Sequence, residues 1–209
     1  MNCSTRSRLS RPWRSAAICS LLALLSACSA LGPKPPPSGI DYSQQQRQLA
    51  ALDQWQLQGK LGIRLPDDAA SAYIDWRQQP RSYEIQLSGP LGQGATRISA
   101  TPDGVTLARA GEAEISAPSA EELMYRTLGW WLPMSDMHYW VRGIPSPTAP
   151  TGVMERNENG TLHSLTQSGW LISYLSYQAI PPFLLPARLA ISRAEIKATL
   201  IIKNWQLPQ

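Results

Sequence analysis

The stretch QWQLQGKLGIRL, residues 54–65, alternates between apolar and polar positions. Trp55, Leu57, Leu61 and Ile63 fall at odd numbers, whereas glutamine, lysine, arginine or glycine takes each even number. A period of two places successive side chains on opposite faces of an extended chain, so the segment predicts a β-strand with one buried and one solvated face. A sheet with one solvated face is typically antiparallel.

The same period recurs along the rest of the chain. Further strands are predicted at residues 71–77, 83–87, 96–100, 105–109, 152–156, 161–166, 170–177, 188–192 and 195–203. The pairs Asp103-Gly104 and Asn159-Gly160 are typical of two-residue hairpin turns. We therefore expect about eleven strands in one strongly curved antiparallel sheet.

About three helices accompany these strands, which makes the fold class α+β. Residues 42–52 predict a short amphipathic helix. Ser119 followed by Glu122 resembles a capping box at the start of a second helix. A third helix is expected at 135–142, ended by Gly143. We expect the helices to cover the concave face of the sheet.

The first residues have the features of a secretory signal peptide. Four arginines precede an acid-free apolar stretch, residues 16–25, which is too short to span a bilayer comfortably. The stretch ends in LSAC, residues 25–28, which resembles the bacterial lipobox. Residues 1–27 would then be removed, and Cys28 would carry the lipid anchor. The alternative is an ordinary cleavage site followed by a chance cysteine.

Removal of that signal changes the meaning of the composition. The 19 lysines and arginines fall to 15 because four arginines are lost, and they then balance the 15 acidic residues. A neutral chain lacks the basic field that nucleic-acid binding requires. Cys3 and Cys19 also leave, so no disulfide or cysteine-based metal site is expected. Four prolines within residues 28–40 predict an extended tether before the domain at 41–209.

The residues give little support to an enzyme. His138 and His163 are the only histidines, and neither a G-x-S-x-G nor an H-E-x-x-H motif is present. The adjacent pairs Glu121-Glu122 and Asp67-Asp68 could in principle serve a glycosidase. Adjacent carboxylates at a helix start or in a turn are more often dipole partners and solvated charges. We therefore expect no catalytic residue, no metal and no cofactor.

Tryptophan is the unusual component of the chain. For Trp170 and Trp205 we favour ordinary packing. The others beyond the signal fall on inward strand faces and on the covering helices: Trp55, Trp76, Trp130, Trp131 and Trp140. Large flat side chains around a curved sheet can leave a cavity, and three methionines would give it an adaptable wall: Met124, Met134 and Met137. This pattern is as compatible with an acyl-chain pocket as with a solid core. The candidate lining residues are Trp55, Leu57, Ile74, Trp76, Ile85, Leu87, Met124, Leu128, Trp130, Met137 and Trp140.

The segment SGPLGQGAT, residues 88–96, superficially matches a phosphate-binding loop. Ala95 stands where that pattern needs lysine, and a strand rather than a helix follows from Thr96. The glycines and proline instead predict a bent loop between two strands. Leu91 is then a bulky apolar residue at a position where loops usually carry polar ones.

Several motifs occur in a fixed order along the chain. They are the lipobox at 25–28, the glutamine-rich segment before Trp55, YIDWRQ (73–78), YEIQLSGPLG (83–92), SAEELM (119–124), LGWWLPM (128–134), YWVRGIP (139–145) and IKNW (202–205). In order and spacing, these motifs resemble the LolB family of outer-membrane lipoprotein receptors. Ser29 also fits, because a serine after the acylated cysteine resembles the outer-membrane class of lipoproteins.

The resemblance implies a half-open β-barrel with a hydrophobic cavity under helices. It implies that the protein receives acylated lipoproteins from the periplasmic carrier LolA and inserts them into the inner leaflet of the outer membrane, facing the periplasm, without a nucleotide. It also implies a monomer that meets outer-membrane phospholipid through Leu91, on a loop formed with Gly89, Pro90 and Gly92. Two alternatives stay open: a generic lipid- or glycolipid-binding lipoprotein, and an envelope hydrolase.

Overall fold

Eleven strands form one antiparallel sheet in the computed structural model, which describes residues 42–92, 94–128 and 132–208. The strands are β1 (Trp55–Arg64), β2 (Ala69–Gln79), β3 (Ser82–Ser88), β4 (Thr96–Thr101), β5 (Gly104–Arg109), β6 (Ile115–Ala117), β7 (Thr151–Arg156), β8 (Leu162–Gln167), β9 (Trp170–Ile180), β10 (Phe183–Arg193) and β11 (Ile196–Gln206).

The strand order is β6-β5-β4-β3-β2-β1-β11-β10-β9-β8-β7. Strands that follow each other in the chain therefore pair, except β6 and β7. At the centre of the sheet β1 pairs with β11, and Leu61 lies opposite Leu200. β6 and β7 form the two edges of the described sheet, so the barrel is not closed. The α+β class, the eleven antiparallel strands and the half-open barrel predicted above are confirmed.

The pairing of β1 with β11 depends on a glycine. The register shifts between Gln58 and Gly59, which forms a β-bulge. A Cβ atom at Gly59 would lie 1.9 Å from the carbonyl oxygen of Ile201, closer than any van der Waals contact permits. Glycine is therefore needed at this position because the backbones of β1 and β11 approach closely there.

Three α-helices accompany the sheet: α1 (Tyr42–Ala51), α2 (Ala120–Leu128) and α3 (Met134–Trp140). Ser119 Oγ accepts a hydrogen bond of 3.2 Å from the Glu122 amide, which confirms the predicted cap of α2. The Glu122 carboxylate does not complete a capping box but pairs with Arg126 one turn later. α2 packs against β5 and β6. None of the described helices has the length and apolar character needed to cross a membrane.

The structure corrects several of the predicted boundaries. β6 was not predicted, because three residues are too few to display a period of two. β10 begins at Phe183 and not near Arg188, since Pro186 conceals the strand in the sequence. The register shifts directly after Pro186, and a bulge tolerates a residue without an amide hydrogen. α3 ends at Trp140, two residues before the predicted end.

Candidate functional site

A cavity of about 250 Å³ lies on the concave face of the sheet. Its walls come from β1 to β5, from α2 and α3, and from β11. The lining residues are Leu61, Ile63, Ile74, Trp76, Ile85, Leu87, Thr96, Ile98, Leu107, Arg109, Ala120, Leu123, Met124, Thr127, Leu132, Met134, Met137 and Leu200. Strands supply a fixed wall, whereas the helices supply the side that covers it.

Fifteen of these eighteen residues are apolar. The other three are Thr96, Arg109 and Thr127, and Arg109 is the charged one. Such a lining excludes ligands that need many hydrogen bonds and suits a hydrocarbon chain. The helices α2 and α3 contribute three methionines to this lining: Met124, Met134 and Met137. Methionine side chains are flexible and can adapt to ligands of different shape.

The structure brings six of the predicted cavity residues together. These are Ile74, Trp76, Ile85, Leu87, Met124 and Met137. Met134, the third methionine predicted for the wall, also lines the cavity. The alternation of β2 and β3 thus places its inward side chains on the cavity wall, as the sequence pattern indicated.

Three predicted cavity residues belong instead to filled core. The Trp55 ring packs between those of Trp76 and Trp205, with centroids 5.1 Å and 5.5 Å away. Leu57 is fully buried opposite Trp76 and Trp205 in the strand ladder. Trp140 is fully buried on α3. Trp55 and Leu57 therefore have aromatic neighbours and do not line the cavity.

Several predicted site residues lie outside what the structure describes. They are Cys28 with the rest of residues 1–41, the side chains of Leu91 and Leu128, and the segment 129–131 with Trp130 and Trp131. The acyl anchor and the tether therefore remain predictions.

Several lining residues were not among the sequence candidates. They are Leu61, Ile63, Thr96, Ile98, Leu107, Arg109, Ala120, Leu123, Thr127, Leu132 and Leu200. Leu61 and Ile63 belong to the same alternating face as Leu57, so the period alone could have found them. Leu200 could not be predicted as a lining residue without knowing that β11 lies beside β1.

The loop between β3 and β4 emerges at one end of this cavity. Leu87, Thr96 and Arg109 are cross-strand neighbours on β3, β4 and β5, and all three line the cavity. The loop contains a single 3₁₀ turn, Pro90–Gly92, in which the Gly92 amide donates to the Gly89 carbonyl at 3.1 Å. A strand and not a helix follows this loop from Thr96, so the helix N-terminus that a phosphate-binding loop of this pattern requires does not follow it.

Three of the four carboxylates considered for catalysis have structural partners, and one of these is Glu122 with Arg126. Asp68 accepts a 2.7 Å hydrogen bond from the Ala69 amide within the turn between β1 and β2. Glu121 accepts hydrogen bonds of 3.2 Å from the amide and the hydroxyl of Ser135, which link α2 to the start of α3. Among the described residues, no group of three histidine, cysteine or acidic side chains could hold a metal ion.

A buried polar network is centred on Gln167 of β8. The Gln167 side-chain oxygen accepts hydrogen bonds from Trp140 Nε1 at 2.9 Å and from the Ser146 amide at 2.8 Å. Its Nε2 donates to the carbonyls of Ser146 and Ala149, each at 2.8 Å. The buried amide is thus satisfied on both atoms, as burial of a polar group requires.

Arg142 is buried and ties α1 to α3. Its guanidinium donates to the carbonyls of Leu49 and Leu52 at the C-terminal end of α1, and to the His138 carbonyl at 2.9 Å. Burial lowers the pKa of Arg142 to about 10. Burial, with the Arg142 charge, also lowers the pKa of His138 to about 4. His138 is therefore neutral, and its Nε2 can accept from Arg142 at 2.9 Å.

Comparison with known proteins places this site in context. The family model described as "Outer membrane lipoprotein LolB" matches residues 53–205. The protein named "Outer-membrane lipoprotein LolB" from Cellvibrio japonicus is 40% identical over 197 residues, which cover 90% of this chain and 96% of that protein. The one of the same name from Stutzerimonas stutzeri is 40% identical over 190 residues, 89% of this chain and 92% of that protein.

A solved structure shares the fold at low sequence identity. It is that of a LolA superfamily protein from Nitrosomonas europaea, with a TM-score of 0.50 and 8% identity, covering 82% of this chain and 95% of that chain. At this identity the likeness concerns the fold alone.

Proposed function

Because this chain belongs to the LolB family of outer-membrane lipoproteins, we propose that it accepts acylated lipoproteins from the periplasmic carrier LolA and inserts them into the outer membrane. It is a receptor for lipoprotein localisation and not an enzyme. The acyl chains of the cargo occupy the cavity beneath α2 and α3 during transfer.

The apolar cavity is the observation that carries this proposal. Each methylene that leaves water contributes about 0.8 kcal/mol, so an acyl chain gains enough from such a lining to leave one carrier for another. Transfer needs no nucleotide if each successive site binds the chains more tightly than the one before it. The receptor must therefore bind the chains better than LolA does, and the membrane must bind them better still.

The proposed location follows from the lipobox. Cys28 carries the acyl anchor in the inner leaflet of the outer membrane, and residues 28–40 hold domain 41–209 in the periplasm. Several acyl chains on one cysteine anchor far more firmly than a single myristoyl group. The protein acts as a monomer, since one cavity suffices for one cargo.

Cargo transfer with a filled cavity tests this function. Ala120 is buried and lines the cavity, so Ala120→Phe places a ring in the space that the acyl chains would take. Incubation with a LolA–lipoprotein complex should move cargo to the parent protein, and at least tenfold less to this variant. Ala113→Phe, at an exposed position, is the matched control and should transfer normally.

Two outcomes would contradict the proposal. One is the absence of cargo movement to the parent protein. The other is that free phospholipid competes for the cavity as well as carrier-held lipoprotein does, because that result identifies a generic lipid binder. A hydrolase is distinguished by joint replacement of Glu121, Glu122, Asp67 and Asp68, which should leave cargo transfer nearly intact.

Delivery to the membrane is assigned to Leu91. The turn Pro90–Gly92 that contains it lies between β3 and β4. The residues of these strands nearest to the turn that line the cavity are Leu87 and Thr96. A leucine that enters lipid gains about 1.5 to 3 kcal/mol, which suits transient contact and not anchoring. Leu91→Glu should accept cargo from LolA normally but release it into outer-membrane vesicles at least tenfold more slowly.

Leu171→Glu is the matched control for that variant, because Leu171 is 44% exposed on β9, a strand distant in sheet order from the loop. It should deliver cargo normally. Loss of folding in Leu91→Glu, measured by thermal unfolding, would show instead that Leu91 is a core residue.

A further inference from the structure

Two of the three polar residues of the cavity lining occur together at the end where the β3–β4 loop emerges. Thr96 and Arg109 lie directly opposite each other on β4 and β5. Thr127 lies in the last turn of α2. The remaining lining is apolar, so a ligand in the cavity meets one polar end and one hydrocarbon interior.

Arg109 is the group at this end with donors to offer. The Thr96 hydroxyl donates to the Gly94 carbonyl at 3.1 Å, and the Thr127 hydroxyl donates to the Leu123 carbonyl. The Arg109 guanidinium carries five N–H donors. Among the described residues its recorded partner is Glu112, at 3.5 Å, at the limit of a hydrogen bond.

That ion pair is weak enough to be replaced. The side chains of Arg109 and Glu112 are 34% and 55% exposed, and pairs so placed contribute little because water screens them. The Arg109 stem follows the inward face of β5 after Leu107, so the charge stands at the cavity rim while its methylenes face the apolar lining. A planar guanidinium binds carboxylate and phosphate oxygens in a two-pronged manner.

We propose that Arg109 forms a head-group subsite at the cavity rim, which selects single-chain amphiphiles that carry an oxyanion. This inference rests on the proposed function, since it takes the cavity to hold acyl chains. The chain extends inward toward Trp76, and the carboxylate or phosphate remains at the rim beside the β3–β4 loop. The protein therefore binds anionic amphiphiles in addition to lipoproteins, and these compete with cargo for the same space.

Binding of three probes with equal chain length tests the subsite: palmitate, hexadecyl phosphate and hexadecanol. The full chain carrying Cys28→Ala, which prevents acylation, is used throughout so that no attached lipid fills the cavity. Both anions should bind on the order of tenfold more tightly than the alcohol, as expected for one charge-assisted contact. The larger preference of the two distinguishes a carboxylate ligand from a phosphate ligand.

In Arg109→Gln, the preference for both anions should fall to about onefold while hexadecanol affinity stays unchanged, which reports an intact cavity. Arg97→Gln is the matched control: Arg97 lies on the next strand, is 60% exposed on the outer face and pairs with Glu84. It should retain the full preference. In Glu112→Gln the preference should rise, because a competing carboxylate is lost.

Equal binding of anions and alcohol by the parent protein would overturn the subsite but leave the acyl cavity standing. Retention of the preference in Arg109→Gln would do the same. Failure of all three probes to bind would overturn both the subsite and the proposed function, because the cavity would then not accept an acyl chain.

Discussion

β1 to β5 and β8 to β10 belong to one sheet, yet the two sets of strands present different concave surfaces. On β3 and β4, Leu87 and Ile98 are partly exposed to an open cavity. On β8 and β9, Leu165 and Ile172 are completely buried. We call the first the cavity region, β1–β5 with α2, and the second the dense region, β8–β10 with α1 and residues 138–142.

The two regions also differ in how they satisfy polar groups. In the dense region, Gln167 and Arg142 bind backbone carbonyls of loops and helices and so fix their positions. In the cavity region, Thr96 and Arg109 stand at the rim, and the other described lining residues are apolar apart from Thr127. This difference indicates that the dense region contributes most to stability, whereas the cavity region has space for a ligand.

The largest test of this comparison is side-chain truncation in each region. Ile172→Ala should lower the free energy of unfolding by about 2 to 5 kcal/mol, because it creates a new void among filled neighbours. Ile98→Ala should lower it by only about 1 to 2 kcal/mol, because it enlarges a space that already exists. Denaturant unfolding measures both. Equal losses would contradict the distinction between the regions.

A smaller test uses acid to weaken the dense region alone. The pKa of His138 is about 4 in the folded protein, whereas an ordinary histidine has 6.5. Between pH 6.5 and 4 the unfolded chain takes up a proton that the folded chain refuses, so stability falls as pH falls. The loss is on the order of 3 kcal/mol over this window, at about 1.4 kcal/mol per pKa unit.

His138→Gln should flatten that part of the stability profile, since glutamine keeps an acceptor for Arg142 but does not titrate. His163→Gln, on the exposed side of β8, is the control and should leave the profile as in the parent protein. An unchanged slope in His138→Gln would mean that other groups cause the acid dependence.

Much of this fold could be predicted because alternation reports which face of a strand is buried. Ile74, Trp76 and Ile85 were placed inward from their spacing alone, and they are inward. Alternation does not report what stands in front of an inward side chain. Trp55 and Trp76 lie on the same face of paired strands, but Trp205 fills the space beside Trp55 while Trp76 reaches the cavity.

The polar rim was missed for a related reason. Arg109 continues the inward face that Val105 and Leu107 begin, but an arginine at the end of a strand reads as a solvated charge. Its place at the cavity depends on the curvature of the sheet and on the position of α2. Both are tertiary features that a local pattern does not contain.

The seam between β1 and β11 has a consequence for the order in which this molecule folds. In every other strand pair the two strands follow each other in the chain and are joined by a short connection. Leu61 and Leu200, which lie opposite each other on β1 and β11, are separated by most of the described chain. The entropy lost on closing a loop rises with its length, so local hairpins can form early and the seam forms late. Gly59 permits the close approach that completes it. Because β11 contributes Leu200 to the lining, the cavity is complete only after β1 and β11 have paired.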